Sequence, residues 1–409
     1  MSTQAPSQDA LDELLYGDGE PLLGNLDAFD MPSPNEEPIT EPEAASSNEV
    51  SDEMLNELLE IPLWEFEGSL QAGIGYTDNA LLSDFPRENS TFLYAEGEFY
   101  AVRYPQSIDQ GFLQFLVVAE QSHFTDIEQV QNERLLWAQG SLTQPAGPDR
   151  ETGMTARYIF TQQVYNSALA ANTDGEVNPA NPFLFEAHGF GWDGHAQFDL
   201  ENDTYIRIEP LIERYVFKGT NSDYTEPAVG IKWGRKLDKL GSRFHLAYYF
   251  AYRLSDERLQ RNSSGTSVSG TRANFQLNEI DFSWRQYWWG NKHFYTRTRA
   301  EIRFLRDNGV GYDDYNLYSM TETFTWDFEP WKTEAYASID YFDYPNQAVS
   351  TSDPSLRFLN QMNLGITVTR SFGEAWAAEL EYGYEITKSN RDEDAYKANI
   401  IQIGVRRIF

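Results

Sequence analysis

The chain has 409 residues, a formal net charge of −33 and a sequence pI near 4.4, a balance that excludes nucleic acid as a partner because phosphate would be repelled. It contains no Cys, which excludes disulfides, a thiol nucleophile and thiolate metal sites. Mean hydropathy is −0.56 and no run of about 18 apolar residues occurs, so no transmembrane helix is encoded, yet aromatic residues reach 15%.

The first segment, 1–62, has no Lys or Arg and sixteen acidic residues, from Asp9 to Glu60. Met1-Ser2-Thr3-Gln4 has neither a charged nor an apolar export region, which reads as a mature chain whose export signal has been removed. Met31-Pro32-Ser33-Pro34 and the Glu/Pro/Ser stretch to Asn48 read as disordered linker. Two short amphipathic helices are expected on either side of it. One carries Leu11, Leu14 and Leu15; the other, Ser51 to Ile61, carries Met54, Leu55, Leu58 and Leu59 behind a Ser51 N-cap. These leucines are candidate docking residues, either for a plug on an inner wall or for a periplasmic or membrane protein partner. A solvated tail with weakly formed helices explains the same residues equally well.

At Trp64 the period changes to two. From Trp64 to Tyr76 the even positions are apolar or small and the odd positions polar or Gly, an alternation longer than globular strands usually sustain. The pattern recurs near 90–104, 110–124, 131–144, 152–168, 183–200, 203–218, 226–237, 242–255, 272–289, 292–307, 314–328, 331–345, 356–371, 374–389 and 394–409. Every second link is short, as at Glu201-Asn202-Asp203, Asp238 to Gly241, Gly290-Asn291, Glu329-Pro330 and Phe372-Gly373. Intervening links such as Thr77 to Asn89, Asn166 to Pro182, Asp256 to Thr271 and Pro345 to Ser355 are longer and polar. The expected fold is all-β: a transmembrane antiparallel up-and-down β-barrel of about sixteen strands, 63–409, behind a mostly disordered acidic tail.

One face of each strand suits lipid. Leu113, Phe115, Val117 and Ala119 share such a face, as do Ile206, Ile208, Pro210 and Ile212, and Trp376, Ala378, Leu380, Tyr382 and Tyr384. Trp64, Tyr76, Trp288, Trp289, Trp326 and Trp331 stand near strand ends, where interfacial belts place aromatic rings. The other face carries charge. Along 292–307, Tyr295, Arg297, Arg299, Glu301 and Arg303 alternate with Thr296, Thr298, Ala300, Ile302 and Phe304. An Arg at mid-depth on the lipid side costs ~2–4 kcal/mol, so the basic ladder belongs in the lumen. Glu279, Asp281 and Arg285 precede it, and Glu322 follows as a further expected counter-charge. Arg157, Arg207 and Glu209 are also expected to line the lumen, with Glu96, Glu98, Glu120, Glu379, Glu381 and Arg406. A cross-strand lattice of ion pairs that stiffens the wall explains these residues as well as a solute path does.

No catalytic residues, no metal site and no cofactor are expected. His188 and His195 lie near Glu186 and Asp193, but the strand pattern reads His188 as one more inward residue. No nucleophile elbow or phosphate-binding glycine loop occurs, so the chain is not read as an enzyme.

The last strand ends Asn399-Ile400-Ile401-Gln402-Ile403-Gly404-Val405-Arg406-Arg407-Ile408-Phe409, with Ile401, Ile403, Val405 and Phe409 on one face. This ending resembles the signal that the barrel-assembly machinery reads in bacterial outer-membrane proteins, with Arg407 as a departure. Over 64–409 the architecture resembles the porin-like outer-membrane barrels of Gram-negative bacteria. The resemblance implies outer-membrane lipid and the assembly machinery as partners. It further implies a channel passing hydrophilic solutes, with an export or assembly barrel docked through its tail as the alternative.

Overall fold

The computed structural model describes residues 63–409 except 83–86, 106–110, 128–130, 166–182, 219–221, 351 and 374. Both helices expected in the tail, and the link from Asn166 to Pro182, lie outside the described residues. Sixteen antiparallel strands follow one another round a closed barrel, each paired to its sequence neighbours, with the last paired to the first. They are β1 Trp64–Thr77, β2 Ser90–Arg103, β3 Phe112–Phe124, β4 Asn132–Gly147, β5 Arg150–Tyr165, β6 Phe183–Leu200, β7 Thr204–Phe217 and β8 Tyr224–Lys236. There follow β9 Arg243–Ser255, β10 Asn274–Tyr287, β11 Phe294–Asp307, β12 Tyr315–Phe328, β13 Trp331–Ala348, β14 Leu356–Ser371, β15 Trp376–Ser389 and β16 Tyr396–Ile408.

Lengths of 13 to 18 residues suit tilted strands crossing a hydrocarbon core. Closure leaves no strand edge unpaired, which a bilayer demands because it offers backbone groups no water. The seam is well zipped. Ser69 to Thr77 pair with Ile408 to Ile400, and Gly68 and Phe409 exchange both backbone hydrogen bonds at 2.9 and 3.0 Å. The Phe409 ring lies over Gly68, where a Cβ would stand 2.6 Å from it.

Links at one end are Pro148-Asp149, 201–203 and Glu329-Pro330 at their shortest; at the other end stand 78–89, 166–182 and 256–273. The 104–111 link breaks the expected contrast, since it joins β2 to β3 at the short-turn end and yet outlasts several outer loops. Asn202 and Asp203 adopt φ of 62° and 58°, the left-handed region that lets three residues reverse the chain between β6 and β7. At the long-loop end the 256–273 loop is fastened to the 308–314 loop. Arg258 and Arg261 both reach Asp313, at 3.3 and 3.6 Å, and the Asp307 carboxylate accepts the backbone N–H of Gly309, Gly311 and Asp313.

The outward faces are apolar. Ile74, Leu93, Phe190, Ile231, Ile302, Trp326, Ile339 and Ile403 are all exposed, on strands spread around the barrel. Tyr248 and Tyr382, near the middle of β9 and β15, donate hydrogen bonds to Asn278 and Asn399, both at 2.8 Å. A closed barrel that shows aliphatic side chains outward and keeps most of its charged groups inward is a membrane-spanning barrel of the outer-membrane type.

Two expectations about faces are corrected. Glu322 does not join the lumen charges: it shares the outward face of β12 with Met320, Phe324 and Trp326. Its carboxylate accepts a 2.6 Å hydrogen bond from the Thr298 hydroxyl, which offsets part of the cost of charge in the belt. His188 also points outward, alongside Phe190 and Trp192, with its Nδ1 2.9 Å from the Tyr158 hydroxyl. In both cases the parity of the strand decided the face, because a side chain cannot change sides without shifting its whole strand by one residue.

Candidate functional site

The inward faces hold the chemistry. On β10 and β11 the register sets Glu279 opposite Arg303, Asp281 opposite Glu301, Ser283 opposite Arg299 and Arg285 opposite Arg297. Arg297, Arg299, Glu301 and Arg303 therefore share one face with Glu279, Asp281 and Arg285. Arg303 is the hub. Its Nε lies 2.7 Å from Glu279 and 2.8 Å from Glu301, and the residue is 1% exposed. The Arg285 guanidinium lies 5.6 Å from the centre of the Tyr295 ring. Single carboxylate oxygens of Glu279, Asp281 and Glu301 lie within 4.8 Å of one another. Three such carboxylates suit a hard cation in principle, but here the Arg303 guanidinium already stands between two of them.

Two further expected groups form smaller assemblies on neighbouring strands. Arg157 of β5 pairs with Asp193 of β6 at 2.5 Å. On β7, Arg207 pairs with Glu209 at 2.7 Å, and Glu209 also receives Lys232 of β8 at 3.6 Å and the Tyr249 hydroxyl at 2.8 Å. Arg253 of β9 meets Glu226 of β8 at 2.5 Å. His195 reaches Glu151 at 3.3 Å across β5 and β6, on the face opposite to His188, so the two histidines do not converge.

Around the seam the inner wall is acidic. Glu96, Glu98 and Glu120 project from β2 and β3, and Glu379, Glu381 and Glu385 from β15. Arg406 joins them, 3.3 Å from Glu379 and 2.8 Å from the Gln71 amide oxygen, while that same amide donates to Glu379 at 2.9 Å. In a ring of sixteen strands, β2 and β3 stand eight places from β10 and β11. The β2–β3 glutamates and the β10–β11 group, in which Arg285, Arg297, Arg299 and Arg303 stand among Glu279, Asp281 and Glu301, are thus on opposite sides of the barrel.

An apolar strip of the inner wall was not expected. Val118 of β3, Trp137 of β4 and Ile159 of β5 are register partners in one row. The row continues over Gly189 to Tyr215, whose ring occupies the space a Cβ at Gly189 would take. Leu116, Leu211 and Tyr249 belong to the same buried cluster. One sequence signal was available: β3 is apolar on both parities from Phe115 to Val118, which strict alternation would not produce.

The remaining expected site residues divide in two. Ile401, Ile403, Val405 and Phe409 share the outward face at the seam. Leu11, Leu14, Leu15, Leu55, Leu58 and Leu59 lie outside the described residues.

No family model matches the chain, and no curated protein does. Solved structures do. OprB of Pseudomonas putida, at high pH, is similar with a TM-score of 0.48 and 10% identity, over 87% of this chain and 96% of that one. An anion-selective porin from Comamonas acidovorans gives 0.41 and 10%, over 85% and 99%. A bacterial polysaccharide outer membrane secretin gives 0.39 and 8%, over 84% and 98%.

Proposed function

We propose that the barrel is an outer-membrane channel for small hydrophilic solutes, passed through a lumen in which a basic wall faces an acidic one. The opposition of the β10–β11 arginines to the β2–β3 glutamates carries this reading. Ion pairs between neighbouring strands would stiffen a wall wherever they fell. Four bases on β10–β11 against the glutamates of β2 and β3 would give the lumen a direction, one that a polar solute can follow by turning its dipole. Outer-membrane lipid around the exposed belt, and the barrel-assembly machinery acting on the Phe409 end, are the partners this reading implies.

Reversal potentials in planar bilayers under a salt gradient test it. Arg297→Gln with Arg299→Gln in the full chain removes two cations from one wall, so permeability should shift toward cations. A chain that folds as a heat-modifiable barrel but gives no conductance, either intact or after the leucines of 51–61 are replaced by aspartate, would overturn the channel reading.

A further inference from the structure

Lys388 of β15 and Lys397 of β16 stand side by side on the outward face at the long-loop end, both exposed. The register sets Lys397 opposite Ile386, so Lys388 is its diagonal neighbour, about 7–8 Å away. Asn360 of β14 is the register partner of Lys388 on that face. Two like charges so placed repel, and an acidic neighbour would offset the cost. The chain has 64 Asp and Glu against 31 Lys and Arg, so acids are not scarce. Yet among the described residues neither ammonium group has an ion pair, a hydrogen bond or a ring partner. Carboxylates at the ends of these strands serve other groups: Asp78 holds Arg87 at 2.6 Å, and Asp394 holds Arg357 and Arg391, both at 2.8 Å. Other outward cations of this end are engaged as well. Lys218 meets Glu186 at 3.1 Å, Arg214 meets Asp256 at 2.6 Å, and Arg306 donates to Asn316 at 2.5 Å. At the short-turn end Arg370 and Arg407 lie over the rings of Trp331 and Trp376, at 5.1 and 5.6 Å.

We propose that Lys388 and Lys397 bind the phosphate of a lipid headgroup in the outer leaflet. Their depth fits. Lys388 lies twelve residues along β15 from Trp376, and Lys397 twelve residues before Phe409; both rings are exposed at the short-turn end. At about 3.3 Å per residue and a tilt near ~40°, twelve residues rise about 30 Å, the thickness of the hydrocarbon core. Leu380, Tyr382 and Ile386 on β15, with Ile401 and Ile403 on β16, fill the interval as acyl-facing surface. The ammonium groups therefore stand where headgroup phosphates begin. One lysine whose stem lies on the belt while its charge reaches the headgroups is ordinary; an adjacent pair without an acid calls for an anion. A phosphate monoester carries about −1.5 to −2 at neutral pH, enough for one headgroup to offset both lysines. Asn360 adds an amide donor from the next strand. A soluble anion would have to approach a chain of net charge −33 through water, whereas a lipid is delivered within the bilayer and held by its acyl chains. The site lies outside the lumen and stands whether or not solute passes.

Native mass spectrometry of the full chain in detergent, with one lipid added at a time, tests the site. The intact protein should retain phosphatidic acid, a monoester, several-fold better than phosphatidylcholine, although its net charge of −33 favours the reverse. Equal retention of the two lipids would overturn the proposal, and that comparison needs no variant to fold. Lys388→Gln with Lys397→Gln should lower phosphatidic acid retention several-fold, while Lys388→Arg with Lys397→Arg should keep it. Arg134→Gln is the control. Arg134 is exposed on the outward face of β4 at the same end, a single cation without a second beside it, so its loss should change retention little. Retention untouched by the double glutamine change, or lowered equally by Arg134→Gln, would sink the assignment. Inorganic phosphate at millimolar concentration should leave the lipid in place. Its displacement would make this a site for a soluble anion and reject the lipid.

Discussion

Two stretches of one inner wall, β10–β11 and β3–β5, settle their inward side chains in opposite ways. The first buries charge, with Arg303 held between Glu279 and Glu301. The second buries hydrocarbon, with Val118, Trp137 and Ile159 in one register row. The charged stretch depends on its partners, because a lone ion in a dry wall is costly and each group stabilises the next. The apolar stretch depends on being covered, because hydrocarbon facing water gains nothing from its position. A barrel wall can be polar without being wet and apolar without facing lipid; what matters is whether each side chain finds its complement.

Breaking the charged stretch should have the largest effect. Arg303→Ala leaves Glu279, Asp281 and Glu301 together without their central cation, and removal of one partner from a buried ion pair costs about 3–5 kcal/mol. The urea midpoint of the folded barrel should fall, and adding Glu279→Gln should restore part of it. A midpoint that stays put would mean water reaches this cluster freely. Trimming the apolar stretch should cost less. Ile159→Val removes one methylene from a buried site and should lower stability by about 0.5–1.5 kcal/mol. A loss within error would show the row to be wet rather than packed.

The smallest effect belongs to an ion pair outside both walls. Arg214 holds Asp256, just past β9, through hydrogen bonds of 2.9 and 2.6 Å, with both side chains well exposed. Those hydrogen bonds hold the Asp256 carboxyl below its ordinary value, with burial opposing weakly. A lowered folded value means that the pair's contribution is present above the ordinary Asp range, near 3.9, and is lost as pH falls through the folded value. Arg214→Gln should move the Asp256 titration, followed by NMR, back up toward that range, with little change in stability at neutral pH. A large loss at neutral pH would mean that rim pairs count as much as buried ones.

Strand number, the antiparallel order and most faces were legible in the chain, because a side-chain period of two is written residue by residue. Arg297, Arg299 and Arg303 declared their side through Ala300, Ile302 and Phe304 between them. Of the two misplaced residues, Glu322 was assigned by its charge and His188 by a strand pattern taken in the wrong register, although parity with Phe324 and Phe190 points both outward; the backbone decides, since turning one side chain inward would turn its strand mates out. What the sequence by itself determined is therefore local: where strands run, and which residues of each share a face. Only the closed tertiary structure decided what meets across the lumen and how dry each stretch becomes. The β16–β1 seam places β3 opposite β11. The register then brings Val118, Trp137 and Ile159 from three strands into one row. Facing and burial are relations between segments far apart in the chain, and no single strand carries them.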